Sequence, residues 1–240
     1  MPPAILILSE TYGVFALPSL VIAIDGPAGA GKSTVAKAAA KRLGLRFLDT
    51  GAMYRCLALR CQRHGVTAEQ GDEAARLCEK IEIRFGEGDP QRVFLNGEDV
   101  TEAIRTPEIG DFASAVSVHS PVRKLMVRQQ QAIVAQGNVM LEGRDTTTVI
   151  APDAPVRIYL TASLDERTRR RMHDFATREI KKDFEELKAE IAERDLRDST
   201  REDSPLKIGD GVTVIESDGM TVDQVVDQVV ALATSAQQRG

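Results

Sequence analysis

Gly26, Gly31, Lys32 and Ser33 follow the pattern glycine, four residues, glycine, lysine, serine. That spacing suits the capture of phosphate. Glycine lets the backbone curl so that successive N–H groups converge on oxygen atoms. The run Gly26-Pro27-Ala28-Gly29-Ala30-Gly31-Lys32-Ser33-Thr34 supplies those groups. Lys32 adds a charge able to reach β- and γ-phosphates, and the Ser33 hydroxyl is an oxygen ligand for Mg²⁺. A helix starting near Lys32 adds its positive end. A Gly-rich turn with no chemistry would need neither Lys32 nor Ser33.

Arginine is the second chemical feature. Arg167, Arg170 and Arg171 are spaced to share a helix face, as are Arg194, Arg197, Asp198 and Arg201 if their helix runs that far. Within residues 167–201, lysine is confined to the segment between the two clusters. Arginine's planar fork matches phosphate oxygens, whereas a merely solvated face is served equally well by lysine. Arg144 and Asp145 adjoin at the end of an apolar run and are costly to bury unpaired, so they face a cleft or each other. Tyr54 and Arg55 open a helix just beyond another strand, where open α/β sheets bind ligands. An ordinary surface helix capped by Thr50 is the plain alternative.

The elements that must position these residues follow from periodicity. Val21–Asp25 reads as a strand running into the glycines, and a helix follows from Ser33 to Leu43. Leu45–Leu48 is a short strand, and helices span about 52–64 and 68–80. The period then changes to alternation at Ile81–Phe85, and Asn96-Gly97 between strand-like runs signals a hairpin. A small antiparallel piece at about 66–105 thus interrupts a βα pattern. Thr106-Pro107 and Ser120-Pro121 begin helices that carry Ser114 and Arg123, the second with Ser120 as cap and Pro121 at the first helical position. Val139–Leu141, Arg157–Leu160 and Val212–Ile215 are further strands, and capping boxes open helices at Ser163 and Thr221. Residues His173–Ala189, strongly charged and nearly free of large apolar side chains, are expected to lie outside the core.

The chain has 240 residues, 42% hydrophobic and 28% charged, which suits one α/β domain with inserted pieces. The expected fold class is a P-loop NTPase: a parallel sheet flanked by helices, a small antiparallel insert and a helical lid. Residues 1–19 are expected to be an N-terminal extension and 20–240 the domain proper, with the lid at about 172–190. A net charge of −5 does not favour general nucleic-acid binding. The first basic residue is Lys32, and the early apolar run is short and broken, so neither a secretory leader nor a membrane span is expected. Three cysteines without a C-x-x-C pair fit a cytoplasmic, reduced protein. His64, His119 and His173 are scattered, and no Ser-His-Asp or metal-histidine grouping is evident.

Phosphoryl transfer needs neutralised charge and alignment, with little covalent help. An acceptor that is itself a phosphate needs no general base. The phosphate loop, the arginines and a lid that excludes water all fit such a reaction. The ordered set Gly26–Thr34, Asp49-Thr50-Gly51-Ala52-Met53-Tyr54-Arg55, Asn96–Val100, Gly143-Arg144-Asp145, Pro152–Pro155 and Arg194–Arg201 resembles bacterial cytidylate kinases over about residues 20–235. The resemblance implies Mg²⁺-dependent use of ATP to phosphorylate CMP and dCMP, and a nucleoside monophosphate-binding insert. A monomer that binds neither nucleic acid nor membrane is expected. It implies that Ser114, Arg123 and Asp145 contact cytosine and that Arg194 and Asp198 approach the sugar. Thr50, Tyr54, Arg55, Arg144 and Arg201 would hold the acceptor's phosphate end. Lys32, Arg144, Arg194 and Arg201 would be catalytic, and Arg167, Arg170 and Arg171 would join Gly26–Thr34 in binding ATP. One departure stands out: such sequences usually carry glycine where this chain has Thr147, so the loop after Asp145 is expected to sit differently.

Three alternative readings stand beside this one. A kinase of the same fold could act on UMP, AMP or a non-nucleotide acceptor. A GTP-dependent switch would typically carry Asn-Lys-x-Asp, and neither asparagine here precedes lysine. A degenerate scaffold would not need Lys32, Ser33 and the full arginine set.

Overall fold

The computed structural model describes residues 20–88, 90–177 and 179–239. The expected N-terminal extension, residues 1–19, lies outside the described residues. The described residues divide into two compact units, one of Leu48–Gln136 and one of residues 20–47 together with those from Gly137 onward.

The second unit is built on five strands: β1 (Val21–Asp25), β2 (Arg46–Asp49), β6 (Val139–Gly143), β7 (Val156–Thr161) and β8 (Thr213–Glu216), in the order β2-β6-β1-β7-β8. The chain passes from one unit to the other within β2. β1 runs parallel to β6 and β7, and β7 parallel to β8. Ile22, Ala23 and Ile24 of β1 are wholly buried, as a central parallel strand covered on both faces requires. Helices α1 (Lys32–Leu43) and α8 (Val222–Gln237) cover the sheet with Val35, Ala36, Ala39 and Ala40 from one and Val225, Val226, Val229 and Ala233 from the other. Thr221 and Gln224 form the expected capping box of α8. α6 (Leu164–Ala176) and α7 (Phe184–Thr200) complete this unit. Among the described residues, no helix is long and apolar enough to cross a membrane.

The other unit carries α2 (Thr50–Arg63), α3 (Gly71–Glu79), α4 (Pro107–Val116) and α5 (Ser120–Val134) with a three-stranded sheet. That sheet, β3 (Ile83–Phe85), β4 (Val93–Leu95) and β5 (Glu98–Asp99), is antiparallel. Asn96 and Gly97 both have positive φ, 50° and 86°, as a tight hairpin turn demands. The antiparallel piece expected at 66–105 falls inside this larger unit.

Three local expectations need correction. Asp49, not Thr50, caps α2, because its Oδ1 accepts the Ala52 N–H at 2.8 Å. Ser120 is the first helical residue of α5 rather than its cap, which is His119. The charged segment around 173–189 is not wholly outside a core. Phe175, Leu187 and Ile191 form a small cluster of their own, joined by Ala28, Leu164, Met172 and Ile180.

Candidate active site

β1 ends at Asp25 in register with Gly143 of β6 and Tyr159 of β7. Two loops therefore leave the carboxyl edge of the sheet side by side, Gly26–Gly31 and Arg144–Asp145. At Gly26 a Cβ would lie 1.9 Å from the Leu160 carbonyl oxygen, so only glycine allows this approach to β7. The loop then curls through Gly29 and Gly31, both at positive φ, into the first turn of α1.

Lys32 is buried and its Nζ donates to the Pro27 carbonyl at 2.7 Å. Burial pushes its pKa down to about 7. Arg144 and Arg194 push the same way, while Glu142 and Asp198 oppose them. A lysine within electrostatic reach of two arginines marks a site built for an anion. Ser33 Oγ donates to Glu142 Oε1 at 2.7 Å. The pair is a hydroxyl and a carboxylate, the oxygen donors that Mg²⁺ prefers. Sequence reasoning missed Glu142. Its signal was a carboxylate at the end of an apolar strand, otherwise a costly place for one.

Arg144 Nε donates to Asp198 Oδ2 at 2.8 Å and its Nη1 to the Gly143 carbonyl at 3.1 Å. Arg201 Nη1 lies 3.7 Å from Asp198 Oδ1, and its Nη2 lies 3.8 Å from Asp145. Burial alone would raise Asp198; Arg144, Arg194 and Arg201 outweigh it and hold the carboxyl below its ordinary range. Arg144, Asp145, Arg194, Asp198 and Arg201 are thus one charge cluster beside Lys32. Arg201 reaches it from just past the end of α7. Arg197 pairs with Glu193, one turn earlier on α7, at 3.1 Å.

Thr147 lies in a single π-helical turn, Thr146–Ile150, in which no residue has positive φ. β-Branching is therefore unstrained there. The backbone N–H groups and hydroxyls of Thr146 and Thr147 all donate to the Asp25 carboxylate, at 2.6–2.8 Å. Burial raises the Asp25 pKa despite these four bonds.

Two arginines of α6 sit against the glycine loop. Arg167 donates to the Ala28 and Ala162 carbonyls and to Asp195. Arg170 donates to Glu166, to the Ala30 carbonyl and to Ser217. Arg171 lies over the Phe175 ring at 4.7 Å.

In the other unit, Arg123 is 2% exposed, stacks 5.6 Å from the Tyr54 ring centroid and donates to the Ser117 carbonyl at 3.3 Å. Ser114 is buried one turn before Ser117, whose hydroxyl binds the Ser114 carbonyl. Thr50 is buried at the start of α2, and Arg55 pairs at 2.6 Å with the capping carboxylate of Asp49. Ser114, Arg123 and Tyr54 form one buried polar group, and Thr50 and Arg55 lie at the head of the helix that bears Tyr54.

A cytidylate kinase from Bacillus cytotoxicus is 43% identical over 219 residues, 91% of this chain and 97% of that protein. One from Citrifermentans bemidjiense is 44% identical over 87% of this chain and 90% of that protein. A bifunctional pantoate ligase/cytidylate kinase from Prochlorococcus marinus is 45% identical over 215 residues, and the chain spans 44% of its length. An uncharacterised protein of known structure from Eubacterium ventriosum aligns over 90% of this chain with a TM-score of 0.51 at 15% identity, a likeness of fold alone. The family model described as cytidylate kinase matches residues 22–235, and with these relatives it shows that the chain belongs to the cytidylate kinase family.

Proposed function

We propose that the chain transfers the γ-phosphoryl group of ATP to CMP and dCMP, giving CDP and dCDP. The observation that carries this reading is the cluster of Arg144, Arg194, Arg201 and Asp198 beside Lys32, at the edge where the glycine loop begins. Two polyphosphate anions repel each other, and a buried array of cations lowers that cost as charge moves in the transition state.

In this reading the amides of Gly26–Thr34 cradle the ATP phosphates and Lys32 neutralises them. Ser33 and Glu142, a hydroxyl and a carboxylate, would hold Mg²⁺. Bound there, Mg²⁺ would neutralise phosphate charge. Arg144 and Arg201 hold the acceptor phosphate with Thr50, Tyr54 and Arg55, and Arg194 and Asp198 approach the sugar. Arg123, Ser114 and Asp145 read cytosine, whose carbonyl and ring nitrogen accept hydrogen bonds while its amino group donates. Arg170 and Arg171 flank the donor side, and Arg167 acts through the loop it braces. Residues 172–190 close as a lid and keep water from the γ-phosphoryl group. The three buried free cysteines are in keeping with a cytoplasmic setting.

The test is ADP release measured with each nucleoside monophosphate as acceptor. CMP and dCMP are expected to give rates at least about tenfold above UMP and AMP, the discrimination that one lost hydrogen-bond pair supplies. A preference for AMP, or transfer to no monophosphate, would overturn the reading.

A further inference from the structure

Asp195 stands in the arginine-rich motif of α7 but belongs to neither the phosphate nor the base contacts above. Its carboxylate reaches the glycine loop instead. Asp195 Oδ1 accepts the Ala28 N–H at 2.9 Å. Pro27 has no N–H, so this is the first amide of the loop after Gly26. Asp195 Oδ2 pairs with Arg167 of α6, and Arg167 Nη1 also donates to the Ala28 carbonyl at 3.0 Å. One aspartate and one arginine, from two helices, thus hold both polar groups of a single loop residue.

Two further contacts seat the loop in the same place. A Cβ at Gly29 would lie 2.9 Å from the Arg167 carbonyl oxygen and 3.1 Å from its Cβ, so the loop lies directly against α6. The Ala28 methyl packs with Phe175, Leu187 and Ile191, the small core formed by α6 and α7. Asp195 adjoins Arg194 in sequence and lies one helical turn before Asp198. Whatever fixes Asp195 to the loop also fixes the register of those two residues, and of Arg201 behind them, relative to Lys32.

We propose that Asp195 and Arg167 form a clasp on Ala28 that holds the acceptor-side arginines of α7 in register with the phosphate loop. They are positioning residues for phosphoryl transfer. This rests on the kinase reading, and a small error of placement is costly: a displacement of about 1 Å can lower a rate about 100-fold. Arg167 is 8% exposed, its Nε donates to the Ala162 carbonyl, and its Nη1 is shared between the Ala28 carbonyl and Asp195. Its contribution to ATP use therefore passes through the loop backbone.

The experiment compares wild type, Asp195→Asn and Asp195→Ala. Asparagine keeps an oxygen for the Ala28 amide but loses the charge facing Arg167. The expected kcat falls about 10-fold for Asp195→Asn and about 100-fold for Asp195→Ala, with KM for ATP and CMP within about threefold. In the ligand-free protein the Ala28 amide is expected to exchange with solvent at least about tenfold faster in Asp195→Ala than in wild type. A kcat for Asp195→Ala within twofold of wild type, a loss carried wholly by KM, or an unchanged Ala28 exchange rate would each overturn the clasp. Exchange needs no turnover. Wild type that transfers to no monophosphate yet shows the exchange difference would sink the kinase reading and leave the contact standing.

Discussion

A buried lysine that has lost most of its proton affinity makes nucleotide binding a proton-uptake reaction. Burial lowers Lys32 to about 7, with Arg144 and Arg194 adding to the effect. A polyphosphate in the loop supplies the missing negative charge and raises it again. At pH 8 a lysine of pKa about 7 is only about 9% protonated, so nucleotide binding is weakened about 11-fold, or about 1.4 kcal/mol. At pH 6 the weakening vanishes. Binding at pH 8 should take up about 0.9 proton, provided the bound pKa lies well above 8.

The measurement is calorimetric titration of Mg-ADP from pH 6 to 8.5, in buffers of differing ionisation enthalpy, for wild type and Lys32→Met. The methionine variant carries the nucleotide's own titration and serves as the baseline. It should fold. The unfolded chain holds the Lys32 proton up to about 10.5 and the folded chain only to about 7. Lys32 thus costs stability in full below pH 7, and the cost is relieved as pH climbs between the two values. Lys32→Met is therefore expected to be at least as stable as wild type at neutral pH, with turnover lost. A ratio of wild-type to variant affinity that stays constant across the range, or equal proton uptake by the two, would refute the reasoning.

Arg123→Ala is expected to raise KM for CMP by on the order of 10–100-fold while KM for ATP stays within about threefold, since a charged hydrogen bond to the base is worth about 1.5–3 kcal/mol. Equal losses for both substrates would remove Arg123 from the base site. Glu142→Gln keeps a partner for the Ser33 hydroxyl but drops the charge, and the Mg²⁺ concentration giving half-maximal rate should rise about tenfold or more; an unchanged Mg²⁺ dependence would sink that role. Thr147→Val preserves shape and deletes one of four donors to Asp25, at an expected cost of about 1–3 kcal/mol in denaturant unfolding. Because that hydroxyl favours the ionised carboxylate, and Asp25 titrates above its ordinary range, the loss should grow as pH rises.

Features that rest on local covalent chemistry were legible in the sequence. The glycine spacing marked the loop, Asn96-Gly97 marked the hairpin, and Ser163 and Thr221 marked helix starts, because each of these works within a few residues of itself. What spacing could not show is what a face meets. Arg167 and Arg170 do share a face of α6, but that face meets the carbonyls of Ala28 and Ala30. The charged stretch spanning the end of α6 and the start of α7 hid a small core because Phe175, Leu187 and Ile191 are too far apart in sequence to read as one stripe. Asp49 outcompeted Thr50 as cap because its carboxylate reaches the Ala52 amide and also holds Arg55.

The buried carboxylate of Asp25 shows why the two loops at the sheet edge work as a unit. Asp25 ends β1, immediately before the phosphate loop, and Thr146 and Thr147 immediately follow Arg144 and Asp145. No cation contacts Asp25 among the described hydrogen bonds and ion pairs, and four donors from two threonines take the place of one. Burying a carboxylate this way is expensive, which its raised pKa reflects. The expense gives direction. A cation would neutralise the charge from many angles, whereas two amides and two hydroxyls satisfy it in one geometry only. The start of the phosphate loop and the root of the Arg144 loop are therefore fixed to each other at the carboxyl ends of β1 and β6. Phosphoryl transfer gains from this because the cations need not reorganise as charge moves between donor and acceptor.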